Sequence, residues 1–178
     1  EELAAIDVVA NALVADFKKL GVRVKYDNRD TQKPGWKFNE YELKGVPVRI
    51  AIGPKDLEKG TAEVARRDTL TKSFLPMEGL AQEIASMLDT IQVDLFERAK
   101  AHRDRNIHVA NTWSGFTAAL DRGGFVSAHW DGTPETEDQI KDKTKATIRT
   151  IPLENPQEDG FCILTGKPST QRVLFARA

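Results

Sequence analysis

Residues 33–57 read KPGWKFNEYELKGVPVRIAIGPKDL, a stretch that places dense charge between regular turn signals. Pro34 can open a short helix and Gly45 can close it, because proline suits the first helical position and glycine the position after the last. Residues 46–52 then carry valine or isoleucine at every second position, which is typical of a strand. Pro47 near the start of this strand favours a position at the edge of a sheet.

The flanking segments continue this alternation of helices and strands. Helical or strand spacing of apolar residues predicts these further elements: a helix over residues 1–20, a strand over 22–26, a helical turn from Gly53 to Gly60, two short strands in TAEVARRD and LTKSF, and a helix from Leu80 to about His102. Their order predicts an α/β layer fold with a mixed sheet over residues 1–106. Since a strand normally precedes the first helix of such a unit, we expect this sheet to lack its first strand.

The pattern changes after the long helix. The charged segment AHRDRNIH, residues 101–108, predicts a linker or a fraying helix end. Beyond it, Asn111 or Thr112 can cap a helix, and a strand, a polar helix with a proline start and two further strands follow. These elements predict a second, smaller α+β domain over residues 107–178.

Composition excludes several classes of protein. No run approaches the roughly 18 apolar residues that a membrane span needs, and the acidic start predicts no signal peptide. The single cysteine, Cys162, excludes an internal disulfide and fits a cytoplasmic protein. Net charge is −1, yet residues 18–72 hold 14 Lys/Arg against 8 Asp/Glu. This local surplus suits an anionic partner, although on charge alone an unevenly charged, solvated surface is the favoured interpretation.

Catalytic constellations are absent from the sequence. There is no P-loop, GxGxxG, HExxH, GxSxG or paired CxxC motif. His129 lies beside Trp130 in a predicted strand, where a histidine satisfied by a neighbour is favoured over a general base. Cys162 lies among apolar residues and is interpreted as a small buried hydrophobe.

Three charged residues of the opening stretch are candidates for nucleic-acid binding. Arg49 lies on the opposite face of its strand from the apolar residues, and arginine can read guanine by a bidentate fork. Glu42, in the preceding helix, can accept a hydrogen bond from a guanine N–H group. Lys55 follows Gly53-Pro54 at the positive end of a helical turn, where an anion would offset the unfavourable placement of a cation. For each residue alone, an ordinary surface charge pair is the favoured interpretation.

The stretch DNRDTQKPGWKFNEYELKGVPVRIAIGPKDLEKGTAEVARRDT resembles the anticodon-binding domain of the prolyl-tRNA synthetase family, in its archaeal/eukaryotic-like form, which also occurs in some bacteria. The resemblance continues through VANTWSGF, TKATIRTIPLE and the C-terminal GFCILTGKPSTQRVLFARA. It implies the mixed-sheet anticodon-binding fold of class II synthetases. It also implies that Glu42, Arg49 and Lys55 contact the two guanines of proline anticodons, with Lys72 as a fourth contact.

The second domain resembles the C-terminal extension of the same family, in which many members bind a structural zinc through cysteines. The corresponding positions here are Trp130, Thr136, Thr150, Cys162 and Thr165, so only one cysteine is retained. Since a structural zinc site needs several cysteine or histidine ligands, we expect no zinc.

The resemblance therefore implies the tRNA-binding C-terminal part of proline--tRNA ligase. The parent, expected to be a cytoplasmic homodimer, would attach proline to tRNA with ATP and Mg²⁺ bound in an upstream catalytic domain. This chain would bind proline tRNA without catalysing, and neither DNA nor a membrane is an expected partner. The alternative is a protein-interaction module on the same fold, whereas a nucleotide-binding α/β enzyme would need a glycine-rich phosphate loop.

Overall fold

The computed structural model describes residues 2–177. Glu1, where the predicted first helix begins, and Ala178, in the predicted last strand, lie outside the described residues. The chain divides into two compact units, one ending at Glu97 and the other beginning at Arg98. The sequence places the division between residues 106 and 107. No helix in the described part of the chain is long and apolar enough to cross a membrane.

Apart from a strand predicted over residues 22–26, the elements up to residue 105 follow the predicted order. They are α1 (Glu2–Lys19), α2 (Pro34–Leu43), β1 (Val48–Ala51), α3 (Pro54–Lys59), β2 (Thr61–Arg66), β3 (Lys72–Pro76) and α4 (Leu80–Arg105). The three strands form an antiparallel sheet in the order β1-β2-β3. Thus β2 is central, and β1 lies at an edge of this sheet, as Pro47 predicts.

The two faces of this sheet differ because side chains alternate along β2. Ala62 and Val64 are completely buried and pack with Phe17 of α1 and with Leu80 and Ile84 of α4. Side chains at the intervening positions of β2 lie on the other face, which is only partly covered. That second face is where Arg49 and Lys72 are found.

The strand predicted over residues 22–26 is wrong. This segment has no strand assignment, although Val22 and Val24 pack against the core as their alternation predicts. Alternation specifies which side chains are buried, but a strand also needs a hydrogen-bonded neighbour. No strand within residues 2–177 pairs with this segment. Tyr26 is instead held by donating its hydroxyl proton to Asp7, and this hydrogen bond raises the pKa of Tyr26 to about 12.

Beyond the end of α4, the described residues of the second unit form a four-stranded mixed sheet, a two-stranded sheet and two helices. Its elements are β4 (Ile107–Val109), α5 (Trp113–Arg122), β5 (Phe125–His129), α6 (Pro134–Thr144), β6 (Ala146–Thr150), β7 (Gly160–Phe161), β8 (Pro168–Ser169) and β9 (Arg172–Arg177). The larger sheet has the order β4-β5-β9-β6, with β4 parallel to β5 and the other pairs antiparallel. The predicted α/β class with a mixed sheet is confirmed, but the mixed sheet lies in the second unit, whereas the sheet described in the first unit is antiparallel throughout.

The core of the second unit lies between its helices and this sheet. Phe116 of α5 and Phe175 of β9 are fully buried and meet edge to face, with ring centroids 5.1 Å apart. Thr112 caps α5, as predicted, because its hydroxyl accepts a hydrogen bond from the backbone N–H of Gly115 at 3.2 Å.

The prediction of a linker or frayed end over residues 101–108 is wrong. Helix α4 continues to Arg105, and residues 107–109 form β4, which pairs with β5. The backbone carbonyl of Asn106 accepts a hydrogen bond from the N–H of Phe125 at 2.8 Å, so the pairing begins directly after the helix. A three-residue strand is too short to show alternation, and its stability comes from a partner 18 positions away.

Candidate nucleic-acid interface

Arg49 is held from two sides on the partly covered face of the first sheet. Its Nη1 donates a hydrogen bond to Glu63 Oε1 at 3.2 Å. Its guanidinium carbon lies 3.6 Å from the centroid of the Phe38 ring, a close cation–π contact. These two contacts restrain the side chain, and because it is 19% exposed it is still accessible to a ligand. Within residues 2–177, Glu63 is the only hydrogen-bond partner of its guanidinium, which leaves further N–H donors for a ligand.

Lys72, the first residue of β3, lies on the same face and meets the same carboxylate. Its Nζ is 3.7 Å from Glu63 Oε1, and its side chain is exposed. Ala65 pairs with Arg49 on one side and with Lys72 on the other. The two cations therefore flank a methyl group on the central strand. The structure brings these two predicted residues together.

Glu42 and Lys55 are placed differently. Glu42 is exposed in the last turn of α2, and its backbone carbonyl accepts a hydrogen bond from Arg67 Nε at 3.1 Å. Lys55 is exposed as the second residue of α3, two positions after the N-cap residue Gly53. Neither side chain has a hydrogen bond or ion pair to another residue in the described range 2–177. Both are therefore available to a partner, and the structure does not join them to Arg49 or Lys72.

Helix α2 is anchored by the loop that precedes it. Arg29 donates to the carboxylates of Asp27 and Glu40, both at 2.6 Å, and Lys37 Nζ donates to the backbone carbonyl of Asp27 at 3.2 Å. Hydrogen bonds from Arg29 hold the pKa of Asp27 well below its usual range, while Lys44 and then Arg29 lower that of Glu40. These ionised contacts fix the helix that presents Phe38 to Arg49.

Phe38 and Glu63 are functional candidates that sequence reasoning missed. Glu63 alternates with buried Ala62 and Val64, so the sequence could have assigned its side chain to a partly covered sheet face, as it did for Arg49. Its contact with Arg49 depends on strand register, since Ala51 and not Arg49 lies directly opposite Glu63. No local pattern shows which residue of α2 lies against the sheet.

The positions that the family resemblance associates with zinc ligands do not fit that metal. The hydroxyls of Thr136 and Thr165 both donate to Asp131 Oδ2 at 2.9 Å, and Thr133 donates to Oδ1 of the same carboxylate at 2.9 Å. Threonine hydroxyls are not among the usual zinc ligands, and these are already used by Asp131. Cys162 is buried, as predicted. Within residues 2–177, no three His, Cys, Asp or Glu side chains are grouped to hold a metal.

Ionisation of Asp131 strengthens this network. Partial burial raises the pKa of the carboxyl, but hydrogen bonds from Thr165, Thr133 and Thr136 together outweigh burial and lower the pKa overall. The charged carboxylate thus ties the start of α6 to the loop that follows β7. A hydrogen-bonded anion therefore links two of the positions where metal ligands would be expected.

His129 lies at the end of β5 and is buried. Its Nδ1 is 3.3 Å from Ser169 Oγ, as expected for a strand histidine with a neighbour. Its Nε2 has no hydrogen-bond partner among the described residues and lies 3.7 Å from Glu158 Oε1. Ser169 Oγ donates to the backbone carbonyl of Trp130 at 2.7 Å, so it is not presented as a nucleophile.

Both units match known families of domains. Residues 4–87 match the family described as "Anticodon binding domain", and residues 113–178 match "Prolyl-tRNA synthetase, C-terminal". The first unit is thus an anticodon-binding domain of the class II synthetase type. Over its full length the chain is similar to the proline--tRNA ligases of several bacteria. The chain as a whole therefore comprises the anticodon-binding and C-terminal domains of that enzyme.

Three such relatives show how far the similarity extends. The chain is 55% identical to the proline--tRNA ligase of Christiangramia forsetii, 58% to that of Flavobacterium psychrophilum and 52% to that of Porphyromonas gingivalis. In each case all of this chain is covered, but only 36% of the relative. The chain thus spans about a third of the length of these relatives. All three organisms are bacteria, and these matches support the broad family without showing its archaeal/eukaryotic-like form.

Proposed function

We propose that this chain binds the anticodon of proline tRNA and thereby directs a proline--tRNA ligase to its substrate. The parent protein would attach proline to tRNA in an ATP-dependent reaction, with ATP and Mg²⁺ bound in a catalytic domain outside this chain. The observation that carries the proposal is the immobilised, accessible guanidinium of Arg49 within a domain that matches the anticodon-binding family.

The four predicted contacts have different chemical roles in this proposal. Arg49 is a rigid planar donor, which suits bidentate hydrogen bonding to the O6 and N7 atoms of guanine. Glu42 accepts from a guanine N–H group. Lys55 and Lys72 are exposed point charges at the ends of elements, and they combine phosphate contacts with base contacts.

Binding to a stem-loop tests this function directly. The 178-residue chain is titrated with the anticodon stem-loop of a proline tRNA and with a matched loop in which both anticodon guanines are adenines. We expect each replaced guanine to weaken binding by about 1–3 kcal/mol. Equal affinity for the two loops contradicts anticodon recognition. A complete lack of binding favours the protein-interaction module instead.

Three further properties of the parent belong to this proposal. The second unit folds without zinc, because the network around Asp131 uses the threonine hydroxyls at the positions of metal ligands. The parent protein is a homodimer and acts in the cytoplasm. The first of these properties is tested below, and sedimentation of the full-length parent tests the oligomeric state.

A further inference from the structure

Glu63 is an anion at the centre of a surface proposed to bind RNA. It lies in the middle strand of the first sheet, between Ala62 and Val64, which are buried on the opposite face. Its side chain is 24% exposed, and its Oε1 is shared between Arg49 Nη1 at 3.2 Å and Lys72 Nζ at 3.7 Å. A carboxylate here reduces the attraction of the surface for phosphate, so its presence needs an explanation beyond charge.

The geometry of Arg49 supplies that explanation. The guanidinium is stacked on Phe38 and hydrogen-bonded at its edge to Glu63, so both its plane and its rotation within that plane are restrained. Restraining a flexible side chain before binding reduces the entropy lost when a ligand orders it. Without Glu63, the same guanidinium would be free to turn toward the nearest phosphate.

We propose that Glu63 is a positioning residue for specificity, which orients the Arg49 fork toward base edges and repels the phosphate backbone from this sheet face. The inference rests on the proposed function, since it assigns a role within the same site. Glu63 acts through Arg49 and does not itself contact the base. Its contact with Lys72 keeps the ammonium of that lysine close to Arg49, across Ala65 of the central strand.

The test compares Glu63→Gln with the wild-type chain on the two stem-loops described above. Glutamine retains the shape and one acceptor oxygen but removes the negative charge. We expect affinity for the guanine-free loop to rise and discrimination between the loops to fall by at least about fivefold, the lower limit for one bidentate base contact. The salt dependence of binding should become steeper by about one unit, because Arg49 then contacts a phosphate.

A matched control and a double variant separate positioning from other roles. Glu78→Gln removes the same charge from an exposed residue of the first unit that has no partner among residues 2–177, and it should leave discrimination unchanged. In the Arg49→Ala background, Glu63→Gln should cause no further loss of discrimination if it acts through Arg49. Thermal unfolding of each variant reports any loss of structure separately.

The possible outcomes are distinct. If wild type does not discriminate, the proposed function fails and Glu63 has no specificity to set. If wild type discriminates and Glu63→Gln discriminates equally well, the role of Glu63 is overturned while anticodon recognition stands. Additive losses in the double variant, or equal weakening of both loops by Glu63→Gln, also overturn positioning through Arg49.

Discussion

The guanidinium of Arg49 in β1 is stacked on the ring of Phe38 in α2, with the guanidinium carbon 3.6 Å from the ring centroid. This contact joins the two elements that the opening stretch of sequence encodes on either side of Gly45. It makes the orientation of the side chain that we propose to read bases depend on an aromatic residue in a different element. The consequence can be measured by changing the ring and leaving the arginine intact.

Phe38→Leu should reduce discrimination without unfolding the domain. Leucine retains apolar contact but removes the ring quadrupole, and a cation–π contact of this kind contributes about 0.5–2 kcal/mol. We expect binding of the proline stem-loop to weaken by a similar amount, with a smaller effect on the guanine-free loop. Titration of both loops measures this. Trp36→Leu is the control, because Trp36 contacts Arg29 and not Arg49; if it has the same effect, the contribution of the Arg49–Phe38 stack is refuted.

Arg49→Ala should remove base readout. Binding of the proline stem-loop should weaken by about 1–3 kcal/mol, and preference over the guanine-free loop should narrow, because one bidentate contact is lost. The same titrations, performed at several salt concentrations, provide the measurement. Equal weakening of both loops, with preference intact, would mean that this arginine contributes only charge.

Lys55→Ala should weaken the binding of both loops more equally than Arg49→Ala does. Its exposed ammonium at the start of α3 has no partner within residues 2–177, so its main effect is expected on phosphate. The salt dependence should fall by about one unit while discrimination is largely retained. Lys141→Ala, an exposed lysine of the second unit, is the charge-matched control. A selective loss of guanine preference in Lys55→Ala would instead place this lysine on a base.

Asp131→Asn should destabilise the second unit by about 1–3 kcal/mol, because hydrogen bonds to a charged acceptor are lost. The pKa of Asp131 is lowered in the folded state, so its stabilising effect is present above the ordinary aspartate value of 3.8 and is lost as pH falls through the folded-state pKa. The difference between wild type and variant in free energy of unfolding should therefore be constant near neutral pH and shrink below about pH 4.

Urea unfolding from pH 3 to pH 7 checks this prediction. Asp159→Asn is the matched control, since Asp159 is exposed and has no hydrogen bond to another residue in the described range 2–177. A difference that persists unchanged at pH 3 would show that the charge of Asp131 is not the stabilising feature.

Metal removal should leave stability unchanged. Dialysis against a strong chelator should not shift thermal unfolding, and added zinc should not raise it, because Thr136 and Thr165 already donate to Asp131. Calorimetry with and without chelator, combined with elemental analysis of the purified chain, measures both. Stoichiometric zinc whose removal lowers the unfolding temperature would refute a metal-free second unit.

The amino-acid sequence alone was sufficient to predict most helices and strands of the first unit. Glycine and proline act locally through their backbone preferences, so Pro34, Gly45, Gly53 and Gly60 mark the ends of α2 and α3 without knowledge of any partner. Apolar periodicity identifies buried faces for the same reason. The charged positions Glu42, Arg49 and Lys55 could be selected from the sequence as exposed residues, and the structure exposes Glu42 and Lys55 and leaves Arg49 accessible.

Tertiary structure alone decided which extended segments became strands and which charges came together. Residues 22–26 alternate clearly yet pair with no strand in the described chain, whereas residues 107–109 show no pattern and become β4 beside β5. The contacts of Arg49 with Phe38 and Glu63 likewise require the packing of α2 and the register of β1 on β2. Burial and backbone preferences are properties of a local segment, but pairing and register are properties of two segments, and they are settled only when both are folded against each other.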